Sequence, residues 1–174
     1  MKALMVTGAG RIGWIRSIAA LFAILVLSAC AKATGPTFRP VELSQQESVV
    51  YFFRPAAHIG ALAGFMLVVD GREIAELKND GYFPLRTSPG PHVVSIQPKP
   101  GAFSAKYFPH DPLEVTVLPG REHFVRVSFE MSAPGALLEM PRFLPVTIRE
   151  VPRGEALPMI VTLRLSGTEQ AGSP

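Results

Sequence analysis

Four turn dipeptides separate short apolar runs and restrict what this chain can fold into more than any other feature. They are Asp70-Gly71, Asp80-Gly81, Pro89-Gly90 and Pro119-Gly120. Asp-Gly between apolar runs is a strong hairpin signal, because a type I′ turn needs positive φ at both central residues. Closely spaced short strands joined by such turns predict an antiparallel β-sandwich.

The runs between these turns have the character of strands. The run ESVVYFFR at 47–54 is rich in β-branched and aromatic residues, and Pro55 ends it. Side chains at 93–96 alternate between two faces, which is the period of a strand. Late strands around Phe143–Val151 and Met159–Leu165 are predicted to complete the sheet edges. No segment after Cys30 has convincing helical periodicity, and the 17 prolines argue against long helices.

The N-terminal GAGRIG at 8–13 fits the G-x-G-x-x-G spacing of dinucleotide-binding domains. Such a unit needs a helix with a polar face and an acidic residue about 20 positions further on. Here no polar side chain lies between Ser17 and Ser28, and the first acidic residue is Glu42. We therefore predict no nucleotide and no other cofactor.

The same residues fit a secretory signal peptide. Lys2, Arg11 and Arg16 form a positive n-region before the apolar segment Ile18–Leu27, and a start at Met5 instead of Met1 would still leave Arg11 and Arg16 there. This apolar segment is shorter than the roughly 20 residues that a transmembrane helix needs. A signal peptide over residues 1–29 is predicted.

The four residues Leu27-Ser28-Ala29-Cys30 resemble the lipobox of bacterial lipoproteins, and Cys30 is the only cysteine of the chain. The resemblance implies diacylglyceryl transfer to the cysteine sulfur, cleavage before Cys30 and acylation of the new N-terminus. Two or more acyl chains form a stable membrane anchor. The alternative is an ordinary signal peptide followed by an unmodified cysteine.

Removal of residues 1–29 changes the charge of the chain. The full chain has 17 basic and 14 acidic residues, and loss of Lys2, Arg11 and Arg16 leaves 14 of each. The mature chain thus lacks the basic excess typical of nucleic-acid binding, and no nucleic-acid partner is predicted.

The predicted organisation has four parts. Residues 1–29 are the signal peptide, 30–46 the lipidated cysteine and a flexible tether, 47–165 the β-sandwich, and 166–174 a disordered tail. The predicted fold class is all-β, with a small antiparallel β-sandwich after the signal peptide and the tether.

Several motifs resemble an uncharacterised family of bacterial lipoproteins with a domain of unknown function. They are Tyr51-Phe52-Phe53-Arg54, Val69-Asp70-Gly71, Gly81-Tyr82-Phe83 and Pro89-Gly90-Pro91-His92. The order of the turns is also similar to PEGA-type surface domains, which have a small prealbumin-like β-sandwich. The resemblance covers roughly residues 47–130, and it implies a fold and an envelope location but no reaction.

Three polar residues are candidates for a ligand contact or a structural role. His92 and His123 each follow a Pro-Gly turn, and they meet if both hairpins share one end of the sandwich. Because metal-ligand spacing is missing, we predict no metal site and expect each histidine to bond turn backbone. Arg54 is expected to pair with Asp70 or Asp80, or to receive an anionic ligand.

No arrangement of residues indicates catalysis, since no G-x-S-x-G elbow surrounds any serine. The aromatic groups at 51–53 and 82–83 are interpreted as core residues, with a sugar-stacking platform as the alternative. We expect a non-enzymatic, lipid-anchored protein of the bacterial cell envelope that binds or assembles with another envelope protein or with cell-wall polymer. The alternative is a lipoprotein that binds a small ligand or carbohydrate.

Two further features refine this expectation. Ala31 and Lys32 follow the cysteine with no Asp, which resembles sorting to the periplasmic face of the outer membrane. A flat apolar patch near Leu137-Leu138 would favour a protein partner, whereas a concave aromatic cleft would favour a small ligand.

Overall fold

The computed structural model describes residues 32–44, 46–58, 61, 63–99, 110–129 and 146–167. Within these ranges the chain forms nine strands and one short helix, α1, over Arg153–Ile160. The strands are β1 Ser48–Arg54, β2 Phe65–Val69, β3 Arg72–Leu77, β4 Gly81–Thr87, β5 Gly90–Pro98, β6 Leu113–Val117, β7 Glu122–Phe129, β8 Val146–Glu150 and β9 Arg164–Leu165.

The strands form two packed sheets. One sheet has five strands in the order β8-β7-β1-β4-β9, and the other has four in the order β3-β2-β5-β6. The prediction of an all-β sandwich is confirmed. Two neighbouring pairs, β1 with β7 and β4 with β9, are parallel, although antiparallel pairing was predicted. Parallel partners need a long crossover, and the chain between β1 and β7 supplies it by building β2 to β6.

Alternate residues of both sheets form the core between them. The five-stranded sheet contributes Phe52, Phe83 and Val125, while the four-stranded sheet contributes Phe65, Leu67 and Ile96. In β5 the predicted alternation is confirmed, because Val94 and Ile96 are buried while Val93 is 45% exposed.

Strand β1 is buried on both faces, and all seven of its residues are buried. Val50 and Phe52 belong to the core between the sheets, whereas Val49, Tyr51 and Phe53 belong to a second apolar cluster on the outer face. A strand covered on both faces has a near-continuous apolar sequence. The apolar run of β1 therefore reflects two layers of packing.

Residues 32–44, which we call the strap, pack on this outer face together with α1. Phe38 of the strap contacts Tyr51 and Tyr82 edge-on, with ring centroids 5.1 and 5.3 Å apart. The Phe38 amide donates to the Leu163 carbonyl, and Ala33 is only 5% exposed. The flexible tether predicted for 30–46 is therefore wrong over the strap, because apolar Ala33 and Phe38 gain buried surface by packing.

The strand directions define two ends of the sandwich. The turns 70–71, 88–89 and 118–121 lie together at one end, which we call the turn end. The opposite end, which we call the entry end, holds the last residue of β1, the turn 78–80 and the start of β4, since Arg54 pairs with Gly81. The strap begins there, where Lys32 bridges to Asn79.

Both predicted Asp-Gly turns are present, but only the first joins a hairpin, because β3 and β4 lie in different sheets. Asp70 and Gly71 have φ of 50° and 77°, which gives the hairpin between β2 and β3 its type I′ character. Asp80 also has positive φ, at 59°, directly before β4. Aspartate tolerates this left-handed region better than most residues with a Cβ.

The C-terminal part of the domain differs from the prediction. Strand β8 lies inside the predicted 143–151 strand, but only Arg164 and Leu165 of the predicted 159–165 strand pair with β4. Helix α1 was not predicted, because it is short, contains Pro158 and buries only Ala156 and Ile160. Ser166, predicted to begin the disordered tail, is buried and donates its amide to Tyr82 O at 2.8 Å. Residues 1–31, with the signal peptide and Cys30, and 168–174 lie outside the described residues.

Candidate functional site

Arg54 ends β1 at the entry end and is 1% exposed. Its guanidinium donates to the Ala63 carbonyl and lies over the rings of Phe65 and Phe129, at 4.8 and 5.4 Å from their centroids. Burial lowers the pKa of Arg54 to about 10, so the group remains charged at neutral pH. Asp70 and Asp80, its predicted partners, pair instead with His92 and Lys32.

His92 lies in β5 at the turn end and connects two turns. Its Nδ1 is 2.7 Å from Asp70 Oδ2, and its Nε2 is 2.9 Å from the Ser88 carbonyl oxygen. The other carboxylate oxygen of Asp70 accepts the Val93 amide at 2.9 Å. Because a carbonyl and a carboxylate both accept, the doubly protonated imidazolium satisfies both contacts. The prediction that His92 bonds turn backbone is confirmed.

These contacts shift the pKa of both partners. Burial of the His92 ring is the largest single effect and lowers its pKa. The hydrogen bonds to Asp70 and Ser88 and the Asp70 charge together outweigh it, so the pKa of His92 is raised. The hydrogen bond from His92 is the main cause that lowers the pKa of Asp70. Each group thus favours the charged form of the other.

His123 lies at the start of β7 and is buried. Its Nε2 accepts the Leu118 amide at 3.0 Å, so the ring proton is on Nδ1, which lies 2.8 Å from Glu150 Oε1. The ring ties the turn before β7 to the end of β8. The prediction that this histidine bonds turn backbone is also confirmed.

Both Pro-Gly turns lie at the turn end, but His92 and His123 have different partners. His92 bonds Asp70, whereas His123 bonds Glu150. Among the described residues, no group of three or more His, Cys, Asp or Glu side chains could hold a metal ion. Each histidine serves to fix its own turn.

The aromatic residues singled out in the sequence are core residues, as predicted. Tyr51, Phe52, Phe53 and Phe83 have no exposed surface, and Tyr82 is 5% exposed. The Tyr51 hydroxyl accepts the Val41 amide of the strap at 2.6 Å. Burial, the largest cause, raises the pKa of Tyr51 to about 12. This contact could not be predicted, because no residue type or spacing around Val41 indicates a segment that covers a sheet.

Two open grooves flank the strap on the outer face. One, of about 440 Å³, lies between the strap and β4 and includes Arg39, Tyr82 and Arg86. The other, of about 540 Å³, lies toward the turn end and includes Leu43, Gly120, Arg121, Glu122 and Arg153. Their rims carry several arginines.

The arginines of the grooves differ in their partners. Arg86 and Arg153 form ion pairs with Glu47 and Glu122, at 3.1 and 2.6 Å. Arg39 and Arg121 are exposed and form no ion pair with the residues that the structure describes. Both guanidinium groups are therefore open to solvent and to an anionic partner.

Several predicted features belong to parts of the chain that the structure does not describe. Cys30, the lipobox and the apolar Leu137-Leu138 pair lie outside the described residues. In the part of the chain that the structure describes, no helix has the length and apolar character needed to cross a membrane.

The fold and these contacts define a small two-sheet β-sandwich whose outer face is covered by a strap and a short helix. The chain belongs to the family described as Protein of unknown function (DUF2846), whose model matches residues 44–140. This range includes β1 to β7, whereas most of the strap and all of β8, α1 and β9 lie outside it. Neither a curated protein nor a solved structure matches the chain.

Proposed function

We propose that this protein is a lipid-anchored module of the bacterial cell envelope that acts by binding or assembly and not as an enzyme. The observation that carries the proposal is the lipobox Leu27-Ser28-Ala29-Cys30, which follows a positive n-region and a short apolar segment. Dual or triple acylation at Cys30 is the kind of anchor that holds a protein stably on a membrane.

The contacts of the polar candidates support a non-catalytic role. His92 and His123 connect turns to neighbouring strands, and Arg54 is buried with its guanidinium over two aromatic rings. A general acid or base must reach a substrate proton. These side chains already form hydrogen bonds with backbone carbonyls, amides and carboxylates, and they stabilise the fold.

The partner in this proposal is another envelope protein or cell-wall polymer, met at the periplasmic face of the outer membrane. The residues Ala31 and Lys32 after the lipidated cysteine support that location, as does the resemblance to a bacterial lipoprotein family. The similarity to PEGA-type surface domains is part of the same proposal, and the small two-sheet sandwich supports it.

Membrane flotation tests the anchor. The wild type is expected to float with membranes on a density gradient, whereas C30A stays with soluble protein. The double variant C30A/T34C is the matched control, because it keeps one exposed cysteine outside the lipobox. Flotation of either variant to the wild-type extent would contradict anchoring through Cys30.

A second candidate is a lipoprotein that binds an anionic small ligand or carbohydrate. The exposed guanidinium groups of Arg39 and Arg121 beside the two grooves favour it, since arginine binds carboxylate and phosphate in a bidentate manner. Equilibrium dialysis of C30A protein with N-acetylmuramic acid, a small sugar that carries a carboxylate, tests this candidate. Loss of binding in C30A/R39A or C30A/R121A supports it, with C30A/R72A as control, and unchanged binding in both excludes the grooves.

A further inference from the structure

The strap is fixed to the domain from its first residues at the entry end. Lys32 bridges to Asn79, and its Nζ lies 3.7 Å from Asp80 Oδ2. The next residue, Ala33, donates its amide to the Asn79 carbonyl at 3.1 Å and is buried. From Lys32 onward, the strap is therefore attached to the domain and cannot act as a flexible spacer.

The close packing around Gly81 strengthens this attachment. A Cβ at Gly81 would lie 2.9 Å from the Ala33 Cβ and 2.1 Å from the Ser166 hydroxyl oxygen. Ser166 in turn accepts the Lys78 amide at 3.2 Å. Three segments thus pack closely together at the entry end. They are the start of the strap, the turn before β4 and the segment after β9.

Covalent geometry then limits the distance between the anchor and the domain. Only Ala31 separates Cys30 from Lys32. Two residues of fully extended chain span at most about 7 Å. The interfacial layer between hydrocarbon and water is also several ångströms thick on each side of a bilayer. An acylated Cys30 therefore keeps Lys32 at the level of the lipid headgroups.

The surface beside Lys32 is compatible with contact with lipid headgroups. A shallow pocket of about 180 Å³ there includes Ala56, Ala57, His58 and Asn79. These are small or polar side chains, and the Lys32 side chain, which is 59% exposed, can reach lipid phosphates. A lysine near an anionic membrane surface adds electrostatic attraction.

The turn end lies on the opposite side of the domain. Strand β1 has seven residues, which at about 3.3 Å each separate the two ends by about 20 Å. The groove beside Gly120 and Arg121 is at the turn end, away from Lys32.

We propose that the domain stands end-on on the membrane, with the entry end in the headgroup layer and the turn end directed away from the bilayer. This inference rests on the proposed lipid anchor, because the reach argument starts at an acylated Cys30. It adds an orientation of the domain relative to the bilayer.

Quenching of site-specific labels by lipids with headgroup nitroxides tests the orientation. Acylation consumes the only native thiol, so A56C labels the entry end uniquely and T116C labels a site near the turn end. In reconstituted lipidated protein, bimane at A56C is expected to be quenched at least threefold more than at T116C. A linker of 20 Gly and Ser residues inserted between Ala31 and Lys32 should abolish that difference.

The outcomes separate the two proposals. Failure of lipidated protein to associate with vesicles would overturn the anchor itself. Equal quenching at both labels, or stronger quenching at T116C, in protein that does associate would overturn the orientation and leave the anchor standing. Quenching at A56C in the C30A background, to the same extent, would show that the domain surface binds lipid without the anchor and would contradict the reach argument.

Discussion

His92 Nδ1 lies 2.7 Å from Asp70 Oδ2, and this contact joins the central strand β5 to the hairpin turn between β2 and β3. The His92 side chain is 13% exposed and that of Asp70 is 49% exposed. The pair therefore combines a largely buried imidazolium with a carboxylate that solvent reaches.

The stability from this pair should depend on pH. The raised pKa of His92 adds stability that is full below its ordinary value of 6.5 and is lost as pH rises through the raised value. The lowered pKa of Asp70 adds stability above its ordinary value of 3.8, which is lost as pH falls through the lowered value. The contribution is therefore largest between these two ordinary values.

Urea unfolding of H92Q at pH 5.5 and pH 9 measures this effect. H92Q is expected to lose about 1 kcal/mol at pH 5.5, a small value because Asp70 is solvent-screened, and clearly less at pH 9. The exposed His58 provides the control H58Q, which should show no such difference. An equal loss for H92Q at both pH values would contradict an ionic pair.

The hairpin turn gives a second prediction. Gly71 has φ of +77°, and a Cβ added at this position would have no atom within 4 Å. The cost of G71A is therefore only that alanine disfavours this left-handed backbone conformation. We expect G71A to lower the free energy of unfolding by about 1 kcal/mol. The control is G154A in α1, which also has open space and should be neutral or stabilising by up to about 1 kcal/mol. Similar effects of both changes on urea unfolding would argue against a left-handed residue at 71.

The strap contact gives a third prediction. Y51F removes the oxygen that accepts the Val41 amide. The free energy of unfolding of this variant should therefore be lower by about 1 to 2 kcal/mol. Limited proteolysis should also cut the strap faster. Y82F is the matched control, because the Tyr82 hydroxyl donates to the Thr37 carbonyl only at 3.5 Å. Equal effects of Y51F and Y82F would contradict a specific role for the Tyr51 hydroxyl.

Arg54 gives a fourth prediction. R54K keeps the charge but loses the planar group that lies over Phe65 and Phe129, so it should lower stability by about 2 kcal/mol. R149K is the control, since Arg149 is 42% exposed and pairs with Glu155 at the surface, and its effect on thermal unfolding should be below about 0.5 kcal/mol. A neutral R54K would mean that any buried cation serves equally well.

The strands and turns of the fold were predictable because their signals are local. Asp70 and Gly71 adopt the positive φ that the dipeptide indicates, and β5 has the alternation of exposed Val93 with buried Val94 and Ile96. The covering of the outer face was not predictable. Phe38 meets Tyr51 and Leu163 across long stretches of sequence, and a Pro- and Gly-containing segment gives no sign of that packing.

The candidate residues were predictable in part. The turn-backbone role of His92 and His123 follows from their position after Pro-Gly turns, and the structure confirms it. Their carboxylate partners, Asp70 and Glu150, could not be deduced, since each lies 22 or more residues away in sequence. The predicted Asp partners of Arg54 were wrong because strand pairing directs its guanidinium toward Ala63 and two aromatic rings.

Intact mass of protein purified from membranes tests the central claim most directly. We predict a mature chain that begins at Cys30 and carries the added mass of two or three acyl groups, while C30A yields no acylated species. A mass equal to the unmodified chain from Met1 or Met5, or to a chain starting at Cys30 without acyl groups, would contradict the lipid anchor and the orientation inferred from it.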